Sequence, residues 1–105
     1  MNPYVLTPRA EQDLSGIWDY IAEDSIDAAD RVLLAIENAV QRLANRPGIG
    51  HLREDLADQR HRFWLVYSYL IVYRFETKTL QVVRVLHAAR DVQSILDLGA
   101  EERLS

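Results

Sequence analysis

The chain of 105 residues has the length of one domain, a formal net charge of −4 and no cysteine. That excludes disulfides and cysteine-bound metal. No run approaches the ~20 apolar residues of a membrane span, and no basic-then-apolar segment opens the chain. A cytoplasmic protein without membrane contact is expected, and the net negative charge argues against a general nucleic-acid binder.

Residues 3–7 read as a short first strand. Thr7-Pro8 then predicts a helix start, the hydroxyl serving as N-cap and proline standing where a missing N–H costs nothing. A first helix is predicted from Pro8 to about Glu23, because Ala10, Leu14, Ile17, Trp18 and Ile21 recur at spacings of three and four. Asp24-Ser25 interrupts that pattern and offers a second cap, with Asp27 in the favourable first turn. A second helix follows to about Asn45, stopped by Pro47 and Gly48. Its stripe runs through Ala29, Val32, Leu33, Ile36, Ala39, Val40 and Leu43, with Leu34 outside it. So short a connection makes the helices an antiparallel hairpin.

Residues 48–60 show no period and read as a loop. Branched and aromatic residues then predict strands over 62–67, 69–76 and 80–87, with turns at Ser68 and at Thr77-Lys78-Thr79. Connections this short require antiparallel neighbours. Beyond Arg90, Val92, Ile95 and Leu96 allow a short C-terminal helix. The expected class is α+β in the order β-α-α-β-β-β with that helix last, the helical hairpin lying on one face of an antiparallel sheet. The first strand is expected at an edge or beside the last strand. One domain is expected over residues 1–98, with a flexible tail over 99–105.

Charge is unevenly placed along this chain. Residues 1–50 hold four arginines against eight acids, whereas residues 51–90 hold six arginines and a lysine against four acids. There is no phosphate loop, dinucleotide fingerprint, metal-ligand spacing or nucleophile elbow, so neither cofactor nor metal is expected. His51, His61 and His87 lie far apart, and Trp18 and Trp64 fit core or sheet packing. Strand alternation places Val82, Arg84 and Leu86 on one face and Val83, Val85 and His87 on the other. Arg74, Arg84, His87 and Arg90 are therefore the candidates for an anion-binding or catalytic cluster. The competing structural reading pairs Arg84 or Arg90 with Asp91 or Glu76, because a charge inside an apolar strand is costly unless paired.

Several blocks carry a resemblance. Tyr4-Val5-Leu6-Thr7-Pro8-x-Ala10 is followed by Asp13-Leu14-x-x-Ile17-Trp18-Asp19-Tyr20-Ile21-Ala22. Leu43-Ala44-x-x-Pro47-x-x-Gly50, Arg53-x-Asp55-Leu56, Tyr69-Leu70-Ile71-Val72-Tyr73-Arg74 and Val83-Arg84-Val85-Leu86-His87-Ala88-Ala89-Arg90-Asp91 come next in order. Together they resemble ParE toxins of the RelE/ParE superfamily of type II toxin–antitoxin systems, over about residues 4–92.

The resemblance implies a helical hairpin on an antiparallel sheet and one of two activities. ParE-like members poison DNA gyrase and block replication, whereas RelE-like members cut messenger RNA on the ribosome. The nuclease site implies basic residues on the second strand and an arginine on the third, and here those positions read His61, Phe63 and Leu70. RNA cleavage needs groups that move protons and offset phosphate charge, which leaves His87 and Arg90 as the catalytic candidates of a nuclease. The first expectation is thus a gyrase inhibitor without catalysis of its own and without direct DNA binding. A ribosome-dependent ribonuclease and an inactive binding module remain the alternatives. The resemblance further implies a ParD-like antitoxin as partner. Tyr20 and Leu34, at or beyond the margins of the helix stripes, together with Arg74, are its contact candidates.

Overall fold

The computed structural model describes residues 3–53 and 58–97. The elements run β1 (Tyr4–Leu6), α1 (Pro8–Ala22), α2 (Ile26–Asn45), a 3-10 turn (Pro47–Ile49), β2 (His51–Arg53), β3 (Asp58–Val66), β4 (Tyr69–Glu76) and β5 (Thr79–His87). A short helix, α3, occupies residues 92–97. The fold is α+β, with α1 and α2 packed on one face of a five-stranded sheet and α3 on the other.

Both helix starts follow from their capping hydroxyls. Thr7 Oγ1 accepts from the Ala10 amide at 3.1 Å, and Ser25 Oγ accepts from the Ala28 amide at 3.1 Å. The Thr7 hydroxyl also donates to the Val83 carbonyl at 2.7 Å, so one side chain starts α1 and ties it to β5.

The strand order is β1-β5-β4-β3-β2. β2 to β5 pair antiparallel, as their tight connections demand, but β1 pairs parallel to β5 (Tyr4 opposite Leu80, Leu6 opposite Val82). The sheet is therefore mixed. A chain that reverses at each of six connections brings its first and seventh elements into the same direction, and β1 lands at the edge beside the last strand. The expected loop over 48–60 is also corrected: the 3-10 turn, β2 and the first residues of β3 lie within it. These pieces carry no period of their own. Pairing to a distant partner (His51 opposite Phe63) makes β2 a strand. Residues 54–57, with the motif positions Asp55 and Leu56, and the expected tail over 99–105 lie outside the described residues.

The main core joins Ile17, Ile36, Val40 and Leu43 of the helices to Ile71, Tyr73, Leu80, Val82 and Val85 of the sheet. A smaller core on the far face joins Phe63, Val72 and Leu86 to Ile95 of α3, with Leu70 packed against it. The simple alternation expected for β5 fails, because Val82 and Val85 share the helix-facing core while Leu86 faces the other way. The cause is a β-bulge: Val72 lies opposite Arg84 and Tyr73 opposite Val82, so Val83 is the extra residue. An extra residue shifts the phase of every side chain beyond it.

Tyr73 anchors the segment after α2. Its buried hydroxyl donates to the Pro47 carbonyl at 2.6 Å and accepts from the Gly50 amide at 2.9 Å. A side chain at position 50 would run into the Tyr73 hydroxyl and ring, which explains the glycine. Arg62 closes the other side by donating to the Gly50 carbonyl at 3.0 Å.

Candidate functional site

The four basic candidates do not form one cluster. Arg74 lies opposite Gln81, whose side chain accepts from Arg74 Nε at 2.6 Å, while His87 sits six residues further along β5 opposite Tyr69. At ~3.3 Å per residue the two positions are roughly 20 Å apart. Arg84 is turned inward. Its guanidinium meets both carboxylate oxygens of Asp13 on α1, at 2.7 and 3.0 Å, and the Val85 amide donates to the same carboxylate at 3.0 Å. The side chains of Arg84 and Asp13 are only 14% and 16% exposed. Where β1 ends, Thr7 and Asp13 thus take up the edge of β5, and Arg84, placed by the bulge on the sheet face of Val72 and Leu86, meets the α1 carboxylate across that edge. The acid that holds Arg84 is Asp13, 71 residues away in sequence.

His87 and Arg90 do come together, at the end of β5. His87 Nδ1 accepts from the Ala89 and Arg90 amides at 3.1 and 3.0 Å, and the His87 amide donates to Asp91 Oδ2 at 2.7 Å. In the neutral ring the hydrogen therefore sits on Nε2. The lone pair that a general base would use is turned into the backbone. Tyr69 meets the imidazole edge-on, with 5.4 Å between ring centroids. Arg90 reaches α1, its guanidinium carbon 4.5 Å above the Tyr20 ring, in cation–π contact. Tyr20 is 57% exposed, and Arg90 is exposed as well. The β3–β4 turn adjoins this end of the sheet, the Ala88 amide donating to the Ser68 carbonyl at 2.8 Å, and it presents an exposed Tyr67. A cation stacked on an exposed aromatic ring is the composition of interface anchors.

The remaining positions sort differently. Leu34 is 56% exposed on α2. His61 and Phe63 are buried, and Phe63 and Leu70 belong to the small core beneath α3. Trp64 packs on the main core and stacks on His51, while Trp18 donates to Asp30 at 2.9 Å across the helix pair. Among the described residues, no three of His, Asp or Glu gather closely enough to hold a metal ion, and no helix is long and apolar enough to cross a membrane. Sequence reasoning missed Asp13 and the Tyr73–Gly50 anchor. Asp13 lies near the edge of the α1 stripe with nothing nearby in sequence to name its partner, and Pro47-x-x-Gly50 carried a turn motif with no hint of its own.

The geometry describes a small α+β protein with His87, Arg90 and Tyr20 gathered at one end of its sheet, and comparison with known proteins places it in a family. The model of the ParE toxin of type II toxin-antitoxin systems, parDE, matches residues 4–92. The chain is 33% identical over 91 residues to Toxin ParE1 of Mycobacterium tuberculosis, covering 85% of this chain and 92% of that one. It is 36% identical over 90 residues to Toxin RelE2 of Caulobacter vibrioides, covering 86% and 99%. A solved structure described as the chromosomal ParDE TA system from P. aeruginosa shares the fold, with a TM-score of 0.69, 22% identity and coverage of 83% and 96%. The chain belongs to the ParE toxin family of type II toxin–antitoxin systems.

Proposed function

We propose that this ParE-type toxin inhibits DNA gyrase by binding it, without catalysis of its own, and that a ParD-like antitoxin neutralises it. The observation that carries the reading is the chemistry at the strand positions a nuclease would need. Phe63 and Leu70 pack under α3 against Ile95, where no phosphate could be met by a cation. His87 supports the same reading, since its Nδ1 lone pair holds the turn over residues 88–90. A bacterial cytoplasmic setting follows from a gyrase target. The target-binding surface in this reading centres on Arg90 and His87, with Tyr20 beside them, and the half-buried Arg74 on the interior strand β4 adds a separate cation. Arg84 acts indirectly, by holding α1 to β5. The antitoxin is expected on the helical hairpin, where Leu34 and Tyr20 stand exposed.

A supercoiling assay with purified gyrase tests this directly. Blocked supercoiling or trapped cleaved DNA on addition of the toxin is the expected result. Untouched gyrase together with cutting of ribosome-bound message would overturn it in favour of the ribonuclease reading, to which the relative named RelE2 lends its name. Neither effect would leave a binding module without either activity.

A further inference from the structure

Charge is divided between parts of the molecule. The eight acids of residues 1–41 lie on α1, on the earlier part of α2 and in the link between them, against two arginines. Residues 42–62 reverse the balance, with five arginines against three acids. Arg42 and Arg46 close α2, about one turn apart, where they complement the carbonyl end of the helix dipole. Both are exposed, and neither side chain has an ion-pair or hydrogen-bond partner among the described residues. Arg62 joins them from the sheet, because the Gly50 carbonyl that it meets at 3.0 Å ends the turn that follows Arg46. Strand alternation puts Arg60, Arg62 and Trp64 on one side of β3, opposite to His61 and Phe63. The His51 ring stacks on Trp64, with 6.0 Å between centroids and 7° between planes. His51 is exposed, so the outer face of its imidazole is open.

We propose that this end of the molecule binds single-stranded nucleic acid, the arginines meeting backbone phosphates and His51 stacking on an unpaired base. The helix dipole explains cations on α2 but none on β3, and internal pairing leaves Arg42 and Arg46 unused among the described residues. Arginine forks suit phosphate oxygens. An aromatic platform beside them suits a base whose face is free, which a duplex does not offer. An acidic protein segment would use the cations and leave the platform idle. The net charge of −4, which argues against a general nucleic-acid binder, averages over regions of opposite sign. Beyond a Debye length of about 8 Å the acidic region is largely screened. The inference is independent of the gyrase reading, whose surface lies toward the opposite end of the sheet, where Val66, Tyr69 and His87 stand abreast.

The test is fluorescence anisotropy of the full chain with short labelled oligo-dT and oligo-rU, and with a duplex of the same length, across a salt series. Single strands are expected to bind with a dissociation constant of roughly 1–100 µM near physiological salt, and the duplex more weakly. The log–log salt slope should be about −2 to −3, since three or four phosphate contacts on a single strand contribute about −0.7 each. Arg42→Gln with Arg46→Gln keeps good helix formers, and is expected to flatten the slope by about 1 to 1.5 and to weaken binding about tenfold. His51→Ala is expected to weaken single-strand binding about fivefold or more at unchanged slope, and His51→Phe to restore it. Unchanged thermal melting of the free variants separates these effects from misfolding. The dT and rU arms distinguish deoxyribose from ribose strands as the source, and preference for either supports the site. Absence of binding even at low salt overturns the proposal. Equal binding of duplex and single strand that His51→Ala leaves unmoved overturns it too. Displacement of the oligonucleotides by polyglutamate at equal charge concentration assigns the patch to an acidic protein segment and likewise overturns the proposal.

Discussion

Asp13 on α1 grips Arg84 on β5 through both carboxylate oxygens and takes the Val85 amide as well. Three hydrogen bonds converge on one carboxylate at the point where β1 stops covering the β5 edge. Helix and sheet are joined there by a charge pair largely withdrawn from water.

Removing Asp13 therefore strands a partly buried guanidinium and a backbone amide. Asp13→Ala is expected to lower stability by about 2–4 kcal/mol in urea unfolding. Arg84→Met keeps the packed stem and leaves Asp13 its amide donor, so a smaller loss of about 1–2 kcal/mol is expected. The double variant should cost less than the sum, as contacting pairs do. Additive losses would mean that the pair does not act as a unit.

Tyr73 gives the alkaline prediction. Burial raises its phenol above the ordinary value, against smaller opposing effects of the Gly50 hydrogen bond and the Arg62 charge. The folded state thus holds the proton more tightly than the unfolded chain. The stabilisation is complete below about pH 10, the unfolded value, and is lost as pH climbs through the higher folded value. Tyr73→Phe is expected to flatten that alkaline decline and, at neutral pH, to cost about 1–3 kcal/mol by leaving the Pro47 carbonyl and Gly50 amide unpaired. Denaturant midpoints between neutral and strongly alkaline pH check both. An unchanged alkaline slope in the variant counts against Tyr73 as its source.

The β4–β5 turn carries avoidable strain. Thr77 and Lys78 have φ of 52° and 64°, the left-handed region that a two-residue hairpin turn of this kind asks of both central residues. Neither side chain suits it, and a β-branched threonine suits it least. Thr77→Asn with Lys78→Gly is expected to raise stability by about 1 kcal/mol. The measurement is a shift in urea midpoint at constant m-value.

His87 separates its structural duty from chemistry. In His87→Asn an amide oxygen can replace Nδ1 as acceptor for the Ala89 and Arg90 amides, and cell toxicity is expected to persist. His87→Ala leaves those amides without their acceptor, with an expected loss of about 1 kcal/mol in thermal or urea unfolding. Abolished toxicity in a well-folded His87→Asn chain that still inhibits purified gyrase would favour the ribonuclease reading.

Arg90 and Tyr20 are expected to couple. A double-alanine cycle should give about 0.5–1 kcal/mol in stability, the size of an exposed cation–π contact. Arg90→Ala should also reduce gyrase inhibition while leaving the fold intact, measured as the toxin concentration that halves supercoiling. Full inhibition by Arg90→Ala removes that residue from the target surface.

The sequence by itself determined what local chemistry can determine. The caps at Thr7 and Ser25, the helix stripes, the stop at Pro47-Gly48 and the β-rich second half each depend on neighbours within a few residues, and each appears where the pattern put it. The exposure of Tyr20 and Leu34 follows from the same periodicity. Tertiary structure decided the rest, because it turns on residues brought together from far along the chain. β2 is a strand only through Phe63, β1 runs parallel only because six reversals precede β5, and the bulge at Val83 breaks an alternation that no single strand could betray. Asp13, reached across the sheet edge, turned Arg84 from a candidate ligand into an internal tie. The basic cluster read from composition thereby reduced to His87 and Arg90, with Tyr20 beside them.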